Sequence, residues 1–404
     1  MKCGLLGRKL EHSYSPDIHE HYGDYPYELY ETEPEELEEF LRKSDFTGIN
    51  VTMPYKEAVI PYLDELTPMA QKLGAVNTIV RRDGKLIGHN TDYFGFRYLL
   101  QQSGLEITGK KCLVLGSGGA SKTVRTVLAK MGAEVVVISR SGDNNYDNLQ
   151  RHEDAAILVN TTPVGMYPAT GFSPVDLGLF SRLEGVVDVI YNPARTRLLL
   201  DAEARGIPFF NGLSMLVAQA KEASEWFTGN PLPDSEIQRV HRIMKQSMEN
   251  IILIGMPGCG KSTVGQLLAD KLRRRCVDTD REMANILLRS VPSILNGFGE
   301  QKFREIETRI LESYGNWSGI VLATGGGCVT RPENYPLLHQ NGIIFWLQRE
   351  LSALPTDGRP LSQTGRLEAM YAVRRPLYER FADAIIDNNG PLEDAVNAIK
   401  EALL

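Results

Sequence analysis

The sequence predicts an α/β protein with more than one domain, and three observations support this. Short runs rich in β-branched residues alternate with helical stretches, which is typical of α/β layering rather than of all-α or all-β folds. Two glycine-rich turns, at residues 116–119 and 255–260, each follow an apolar strand and precede a helix. The chain has 404 residues, enough for two or three domains at about 150 residues each.

Strands dominate the elements predicted for the first hundred residues. The predicted strands are residues 2–6, 27–31, 48–53, 78–82 and 85–89. The last two flank Asp83-Gly84, a dipeptide typical of hairpin turns. Residues 34–42 are predicted to form a helix because Pro34 stands at the favoured first-turn position.

A β-turn-α-β unit of the length typical of nucleotide-binding sheets begins near residue 109. It comprises strand 111–115, the glycine-rich turn, helix 120–131 and strand 134–139, and a further strand is predicted at 186–190.

The last part of the chain begins near Glu249 with a second unit of this kind. After a break at residues 228–234 and a helix at 235–248, the predicted elements are strand 251–254, helix 261–272, a strand ending at 277–280, and strand 320–322. No long linker separates the halves.

Composition and charge argue against several classes of protein. The chain is 42% hydrophobic and 24% charged, the ordinary balance of globular proteins. A net charge of −7 argues against a nucleic-acid partner. No apolar run approaches membrane-spanning length, and residues 1–13 do not resemble a signal peptide. Five scattered cysteines without a C-x-x-C pair favour reduced thiols in a cytoplasmic protein over disulfides or a zinc site.

The strongest motif is a phosphate-binding loop at residues 255–262, which match G-x-x-x-x-G-K-[ST] between a strand and a helix. Glycines let backbone N–H groups converge on phosphates, Lys261 adds a positive charge, and Ser262 can bind Mg²⁺. Asp278 and Asp280 are predicted on one face of a strand, where one suits the magnesium shell and the other can accept a proton from an acceptor hydroxyl.

Three further features follow the phosphate-binding loop. Arg304 lies on a predicted helix, glycines 325–327 follow a strand, and two cationic motifs stand at 359–361 and 374–378. An arginine can clamp a carboxylate with two hydrogen bonds, and bare backbone can approach a small ligand closely. Each feature alone is explained as readily by a surface charge or turn, for example an Arg304–Glu307 surface ion pair. Because all of these features occur in this order along the chain, residues 249–404 resemble the shikimate kinase family.

That resemblance implies a P-loop α/β kinase domain with a parallel sheet, which phosphorylates the 3-hydroxyl of shikimate with ATP and Mg²⁺. It implies Asp280 as the catalytic base. The implied ATP-binding residues are Gly258, Cys259, Gly260, Lys261, Ser262, Thr263 and Arg359, the metal ligands are Ser262 and Asp278, and the shikimate-binding residues are Asp280, Arg304, Gly326, Gly327 and Arg374. The segment 346–374, which contains the lid arginine Arg359, is short for the family.

The glycine-rich turn at 116–119 matches the dinucleotide pattern loosely, since Ser121 stands where a small third residue is expected. The next strand ends in Ser139-Arg140-Ser141. A cation there favours the 2′-phosphate of NADP, whereas NAD enzymes place an acid. Nearby Asp143 weakens that preference slightly.

A lysine beside an aspartate in a cleft can exchange a proton with a substrate oxygen, and Lys56 and Asp92 are candidates, although spacing alone does not show that they meet. The ordered motifs at 12–16, 50–56, 74–78, 90–92, 116–120, 160–166 and 212–219 resemble the shikimate dehydrogenase family over residues 1–248.

This second resemblance implies reduction of 3-dehydroshikimate to shikimate by NADPH, with Lys56 and Asp92 as the catalytic pair. The implied substrate-binding residues are Ser13, Ser15, Thr52, Asn77, Asp92, Tyr191 and Gln219. The implied NADP-binding residues are Gly116, Gly118, Gly119, Ala120, Ser139, Arg140, Ser141, Thr162, Gly212 and Met215. It also implies a substrate-binding domain at 1–100 to which 220–248 return, a Rossmann-like NADP-binding domain at 101–219, and a kinase domain at 249–404.

Together the two resemblances predict a bifunctional enzyme that makes shikimate in one half and phosphorylates it in the other. Its expected partners are small molecules, without nucleic acid or membrane. Three alternatives remain: an NAD-dependent dehydrogenase acting on quinate, a dehydrogenase carrying an inactive kinase-like binding module, and a regulatory binding protein. Arg140 argues against the first, and the complete set of residues in each half argues against the other two.

Overall fold

A computed structural model describes residues 1–10, 13–354 and 366–403 of the chain. Within these ranges no helix is both long and apolar enough to cross a membrane, and the five cysteines are free thiols. The described chain divides into two compact units. The first comprises Met1–Val164, Ser173–Tyr191 and Asp201–Met244, and the second comprises Gly165–Phe172, Asn192–Leu200 and Lys245–Leu404.

The first sheet of the first unit is mixed and has the strand order β2-β1-β3-β5-β6-β4. Its strands are β1 (Cys3–Gly7), β2 (Tyr27–Glu31), β3 (Gly48–Val51), β4 (Glu65–Leu66), β5 (Thr78–Arg82) and β6 (Lys85–His89). The helices of this region are α1 (Ser15–Glu20), α2 (Leu37–Lys43), α3 (Tyr55–Ala58), α4 (Pro68–Leu73) and α5 (Asp92–Ser103). The predicted hairpin is confirmed, since Asp83 and Gly84 both have positive φ between β5 and β6.

The second sheet of the first unit is parallel, with the order β11-β10-β9-β7-β8. Its strands are β7 (Lys111–Leu115), β8 (Glu134–Ile138), β9 (Ile157–Asn160), β10 (Gly185–Asp188) and β11 (Phe209–Phe210). The helices that follow in sequence are α6 (Gly119–Lys130), α7 (Arg197–Ala204), α8 (Leu213–Thr228) and α9 (Ser235–Met248). The strand order reverses at β7, which lies between β8 and β9, and a glycine turn joins β7 to α6. These two features make this a Rossmann-like sheet.

The second unit contains a third sheet, all parallel, with the order β13-β14-β12-β15-β16. Its strands are β12 (Asn250–Ile254), β13 (Cys276–Asp278), β14 (Val321–Ala323), β15 (Gly342–Gln348) and β16 (Ala384–Asp387). Its helices are α10 (Lys261–Leu272), α11 (Thr279–Leu287), α12 (Val291–Gly315), α13 (Asn334–His339), α14 (Arg366–Phe381) and α15 (Leu392–Ala402). The central strand β12 is buried throughout, which explains its continuous apolar sequence.

The predicted α/β class with parallel sheets is confirmed, and most predicted elements lie within two residues of their observed positions. One local prediction is wrong. Asp278 and Asp280 do not share a strand face, because β13 ends at Asp278 and Asp280 lies in the first turn of α11. The Asp278 carboxylate accepts hydrogen bonds from the backbone N–H groups of Asp280 and Arg281, at 3.0 and 3.1 Å. A capping aspartate therefore starts a helix where the acid spacing suggested continued strand.

Candidate active sites

Lys56 and Asp92 meet in the first unit although they are 36 positions apart in sequence. Lys56 lies on the short helix α3 after β3, and Asp92 is the first residue of α5. The Lys56 Nζ to Asp92 Oδ2 distance is 2.6 Å, and the two side chains are 24% and 11% exposed. A partly buried ammonium held by a carboxylate can exchange a proton with an oxygen placed beside it.

Asn77 and Gln219 join this pair through Thr91, which precedes Asp92. The Asn77 amide donates to Thr91 Oγ1 at 3.0 Å, and its side-chain oxygen accepts from the Thr91 backbone N–H at 2.7 Å. The Thr91 hydroxyl donates to Gln219 Oε1 at 3.2 Å. Gln219 reaches this point because α8 lies close along α5: a Cβ at Gly95 would be 2.5 Å from the Met215 carbonyl oxygen.

Ser13 lies just before α1 and Ser15 is the first residue of that helix, where the Ser15 backbone N–H donates to Ser13 Oγ at 3.2 Å. Between them, the ring of Tyr14 meets the ring of Tyr191 edge to face, with centroids 6.2 Å apart. The Ser13–Ser15 turn and the end of β10 therefore face one another. Burial raises the pKa of Tyr191 to about 12, so its hydroxyl is a neutral hydrogen-bond group at physiological pH.

Tyr27 and Asn50, to which the sequence assigned no role in the site, lie next to Asn77. The Tyr27 hydroxyl donates to Asn50 Oδ1 at 2.8 Å. Asn50 Nδ2 donates to the Asn77 backbone carbonyl oxygen at 3.2 Å. Asn50 lies near the end of β3, just before Thr52, whose backbone N–H donates to the Leu6 carbonyl oxygen at 2.9 Å. The hydrophobic pattern of β2 gave no sign that Tyr27 faces this polar group.

The first glycine-rich turn offers an open cradle at the N-terminus of α6. A Cβ added at Gly118 or Gly119 would have no heavy atom within 4 Å, and Ala120 continues the helix from there. A Cβ at Gly116, in contrast, would lie 2.9 Å from Thr161 Oγ1. Backbone N–H groups at a helix N-terminus bind phosphate, so this turn fits a dinucleotide pyrophosphate.

Arg140 and Ser141 are exposed just beyond β8, the strand next to β7. The turn that carries them closes where the Ser139 backbone N–H donates to the Asn144 carbonyl oxygen at 3.1 Å. The exposed guanidinium fits a phosphate at this end of the sheet.

Thr162 is oriented at the carboxyl end of β9 by Asn160, whose side-chain oxygen accepts from the Thr162 hydroxyl at 2.7 Å. Asn160 Nδ2 in turn donates to Asp188 Oδ1 at 3.0 Å, and both of these polar side chains are fully buried. Gly212 immediately precedes α8, and its backbone N–H donates to the Ile190 carbonyl oxygen at 2.9 Å. Met215, one turn later, packs in the core of the Rossmann-like sheet.

In the second unit, the phosphate-binding loop joins β12 to α10 as predicted. Gly258 and Gly260 adopt φ values of +84° and +100°, which other residues rarely adopt. Lys261 is 8% exposed, and its Nζ donates to the carbonyl oxygens of Gly255 and Met256 at 2.9 and 3.0 Å. The lysine thus lies across the loop that would enclose the phosphates. Cys259 is buried, its carbonyl oxygen accepting from Asn388 Nδ2 at 2.6 Å.

Ser262 and Asp278 form a candidate Mg²⁺ site. The Ser262 hydroxyl donates to Asp278 Oδ2, and Ser262 and Thr263 are exposed at the start of α10. A hydroxyl next to a carboxylate is an oxygen set that Mg²⁺ binds alongside water and phosphate. The described residues contain no cluster of three or more histidine, cysteine or acidic side chains suited to a metal ion.

Arg304 is buried rather than part of a surface ion pair. It is 8% exposed and pairs with the fully buried Glu307, at 2.7 Å between Nη1 and Oε2. Burial raises the pKa of Glu307 even though the Arg304 guanidinium opposes that rise. Glu307 stands three positions after Arg304, a spacing that places two side chains on one helix face, but nothing in the sequence showed its burial.

The three glycines 325–327 pack against these charged residues. A Cβ at Gly327 would overlap the Arg304 guanidinium, and a Cβ at Gly325 would lie 2.9 Å from Asp280 Oδ1. Arg374, on α14, donates from Nη1 to the Gly326 carbonyl oxygen at 3.1 Å. Asp280, the two arginines and the glycine turn therefore form one group. Arg359, predicted to bind ATP, lies outside the described residues.

Comparisons with known proteins agree with both halves of this description. Residues 5–79 match the family model "Shikimate dehydrogenase substrate binding domain", and residues 257–404 match the family model "Shikimate kinase". The shikimate dehydrogenase (NADP⁺) of Clostridium beijerinckii is 37% identical over 266 residues, which cover 61% of this chain and 98% of that protein.

Solved structures match the same part of the chain. Shikimate 5-dehydrogenase from Thermus thermophilus, in complex with NADP(H) and shikimate, is 34% identical, with a TM-score of 0.54 over 60% of this chain and 99% of its own. Quinate dehydrogenase from Corynebacterium glutamicum, in complex with NAD, is 28% identical, with a TM-score of 0.53 over 59% of this chain and 98% of its own.

Proposed function

The chain belongs to the shikimate dehydrogenase family, and from that premise we propose that it has two activities: NADPH-dependent reduction of 3-dehydroshikimate to shikimate, and ATP-dependent phosphorylation of shikimate to shikimate 3-phosphate. The first activity is assigned to residues 1–248 and the second to residues 249–404. The proposed domains are 1–100 with 220–248, 101–219, and 249–404.

The 2.6 Å contact between Lys56 and Asp92 is the observation that carries the first activity. NADPH, when bound, supplies the hydride that reaches the substrate carbonyl carbon. Lys56 gives its proton to the oxygen on which negative charge develops, and Asp92 holds the ammonium in place beside that oxygen. In the reverse direction Lys56 takes that proton back.

The side chains around this pair hold the ring of the substrate. Asn77 and Gln219, locked together through Thr91, offer amide groups to the ring hydroxyls, as does the hydroxyl of Thr52. Ser13, Ser15 and Tyr191 surround the carboxylate end. Neutral hydrogen-bond donors suit this role, because they orient the carboxylate of the substrate without adding a cation that would pair with Asp92.

NADP fits the residues along the carboxyl edge of the parallel sheet. Gly116, Gly118, Gly119 and Ala120 would hold the pyrophosphate at the open N-terminus of α6. Arg140, between Ser139 and Ser141, would bind the 2′-phosphate and so favour NADP over NAD. Thr162, Gly212 and Met215 would border the ribose and nicotinamide.

The second activity rests on the phosphate-binding loop. Buried Lys261 donates to the Gly255 carbonyl oxygen of this loop, and the Ser262 hydroxyl donates to the Asp278 carboxylate. Residues 258–263 would bind the ATP phosphates, and Ser262 with Asp278 would hold Mg²⁺, which neutralises phosphate charge. Asp280 would accept the proton of the shikimate 3-hydroxyl. Arg304 and Arg374 would bind its carboxylate, beside the backbone of Gly326 and Gly327.

The test separates the two reactions in one purified protein. Shikimate with NADP⁺ alone should yield NADPH, and shikimate with ATP and Mg²⁺ alone should yield ADP. Quinate with NAD⁺ is the control for the alternative dehydrogenase. If the protein forms NADPH from shikimate but forms no shikimate-dependent ADP, the second half is a binding module and not a kinase. If quinate with NAD⁺ is turned over faster than shikimate with NADP⁺, the substrate and cofactor assignment is wrong.

A further inference from the structure

The carbonyl oxygen of Gly326 receives two hydrogen bonds from one helix. Arg374 Nη1 donates to it at 3.1 Å, and the Tyr378 hydroxyl donates to it as well. Arg374 and Tyr378 are four positions apart on α14, so both side chains lie on the same helix face. Two side chains of one helix therefore donate to the same carbonyl oxygen.

Tyr378 is held rigidly. Its side chain is fully buried, and its ring stacks on Trp346 of β15 with centroids 5.6 Å apart. Its hydroxyl lies 3.9 Å from the Met256 sulfur in the phosphate-binding loop. Removal of the hydroxyl alone leaves this ring packing in place.

The Gly326 backbone is equally constrained from the other side. A Cβ at Gly326 would lie 2.7 Å from Pro257 of the phosphate-binding loop, so the backbone touches that loop directly. The Gly326 carbonyl thus lies between the nucleotide loop and the helix that carries Arg374.

We infer that Tyr378 is a positioning residue that keeps the Gly326 carbonyl hydrogen-bonded when Arg374 turns from it to bind the carboxylate of the acceptor. This inference rests on the proposed kinase activity. Arg374 cannot give the same N–H to both oxygens. Gly326 is half-buried, and a carbonyl left without a donor there carries a cost, so without the Tyr378 hydroxyl each binding event would carry that cost. With the hydroxyl present, Arg374 is released at little expense.

The test is Tyr378→Phe in the full chain, which keeps the ring and removes the hydroxyl. Loss of the hydrogen bond to the Gly326 carbonyl should raise KM for shikimate in the ADP assay about tenfold, equivalent to about 1.4 kcal/mol, with KM for ATP unchanged. Tyr314→Phe is the matched control, because it removes a hydroxyl that donates to Glu282 Oε2 at 2.7 Å, away from Gly326. It should leave both KM values unchanged.

A double variant separates positioning from general destabilisation. If Tyr378 acts by releasing Arg374, Tyr378→Phe should raise KM for shikimate much less in an Arg374→Ala background, where there is no guanidinium to release. An unchanged KM in Tyr378→Phe, or an equal rise in both backgrounds, would overturn the inference. Absence of shikimate-dependent ADP formation by the wild-type chain would instead refute the proposed kinase activity, and this inference with it.

Discussion

His19 gives the first unit a pH-dependent stability whose size can be calculated. Its imidazole is fully buried, stacked on Tyr27 at 4.1 Å between centroids, with Nδ1 2.8 Å from the Tyr25 hydroxyl. Burial lowers the pKa of His19 from its ordinary 6.5 to about 3. In the unfolded chain the same ring takes up a proton near pH 6.5, so between pH 6.5 and pH 3 the unfolded state binds more protons. Stability therefore rises with pH in this window and is lost as the pH falls.

With these two pKa values, proton linkage gives a loss of about 2 kcal/mol between pH 7 and pH 5 from His19 alone. His19→Asn removes the titrating ring and should make the decrease in unfolding free energy smaller by that amount, although it also destabilises the unit at pH 7. Hydrogen–deuterium exchange of peptides from β1 and β3, corrected for intrinsic rates, measures this free energy for the first unit by itself.

Tyr25→Phe is the matched control, because it removes the hydrogen bond to His19 and leaves the imidazole buried. It should lower stability at pH 7 and keep the wild-type difference between pH 7 and pH 5. If His19→Asn retains the full wild-type difference, the burial of a neutral imidazole is not its source and the calculation is wrong.

Three further predictions concern activity. Lys56→Ala should slow shikimate-dependent NADPH formation by about 10²- to 10⁴-fold, the usual effect of losing a general acid or base, and leave ADP formation near the wild-type rate; Lys261→Ala should do the reverse. If either variant folds but loses both reactions, the proposal of two separate active sites is wrong. Arg140→Ala should raise KM for NADP about tenfold or more without affecting NAD, since a charge-assisted phosphate contact is lost; equal losses would remove its assigned role. Gly327→Ala places a Cβ that overlaps the Arg304 guanidinium and should raise KM for shikimate in the ADP assay only, whereas an unchanged KM would show that Arg304 does not bind the acceptor there.

Local signals in the sequence predicted local structure well. The loop at 255–262 depends on glycines and on neighbours within a few positions, and the observed strand, loop and helix follow that pattern. The Asp83-Gly84 hairpin is a similar case. The error at Asp280 is of another kind, since a capping aspartate and a strand acid look alike until the backbone is known.

Contacts between distant segments were not predictable in the same way. Lys56 lies on α3 and Asp92 begins α5, 36 positions later, and only the folded chain brings them to 2.6 Å. Burial of Glu307 depends on the glycine turn that covers it, and the Tyr27 hydroxyl reaches Asn50 only because β2 and β3 flank β1. The candidate sites therefore depend on the order of the strands, which no single sequence segment encodes.

The two proposed sites would recognise one carboxylic acid by different chemistry, and their surroundings explain the difference. In the first unit Lys56 already faces Asp92, and a second cation beside the acid would compete for that carboxylate. Hydroxyls from Ser13 and Ser15 bind without such competition. In the second unit the transferred phosphoryl group and Asp280 bring more negative charge near the acid. Two buried arginines offset that charge, and Glu307 holds one of them in place at 2.7 Å before the acceptor arrives.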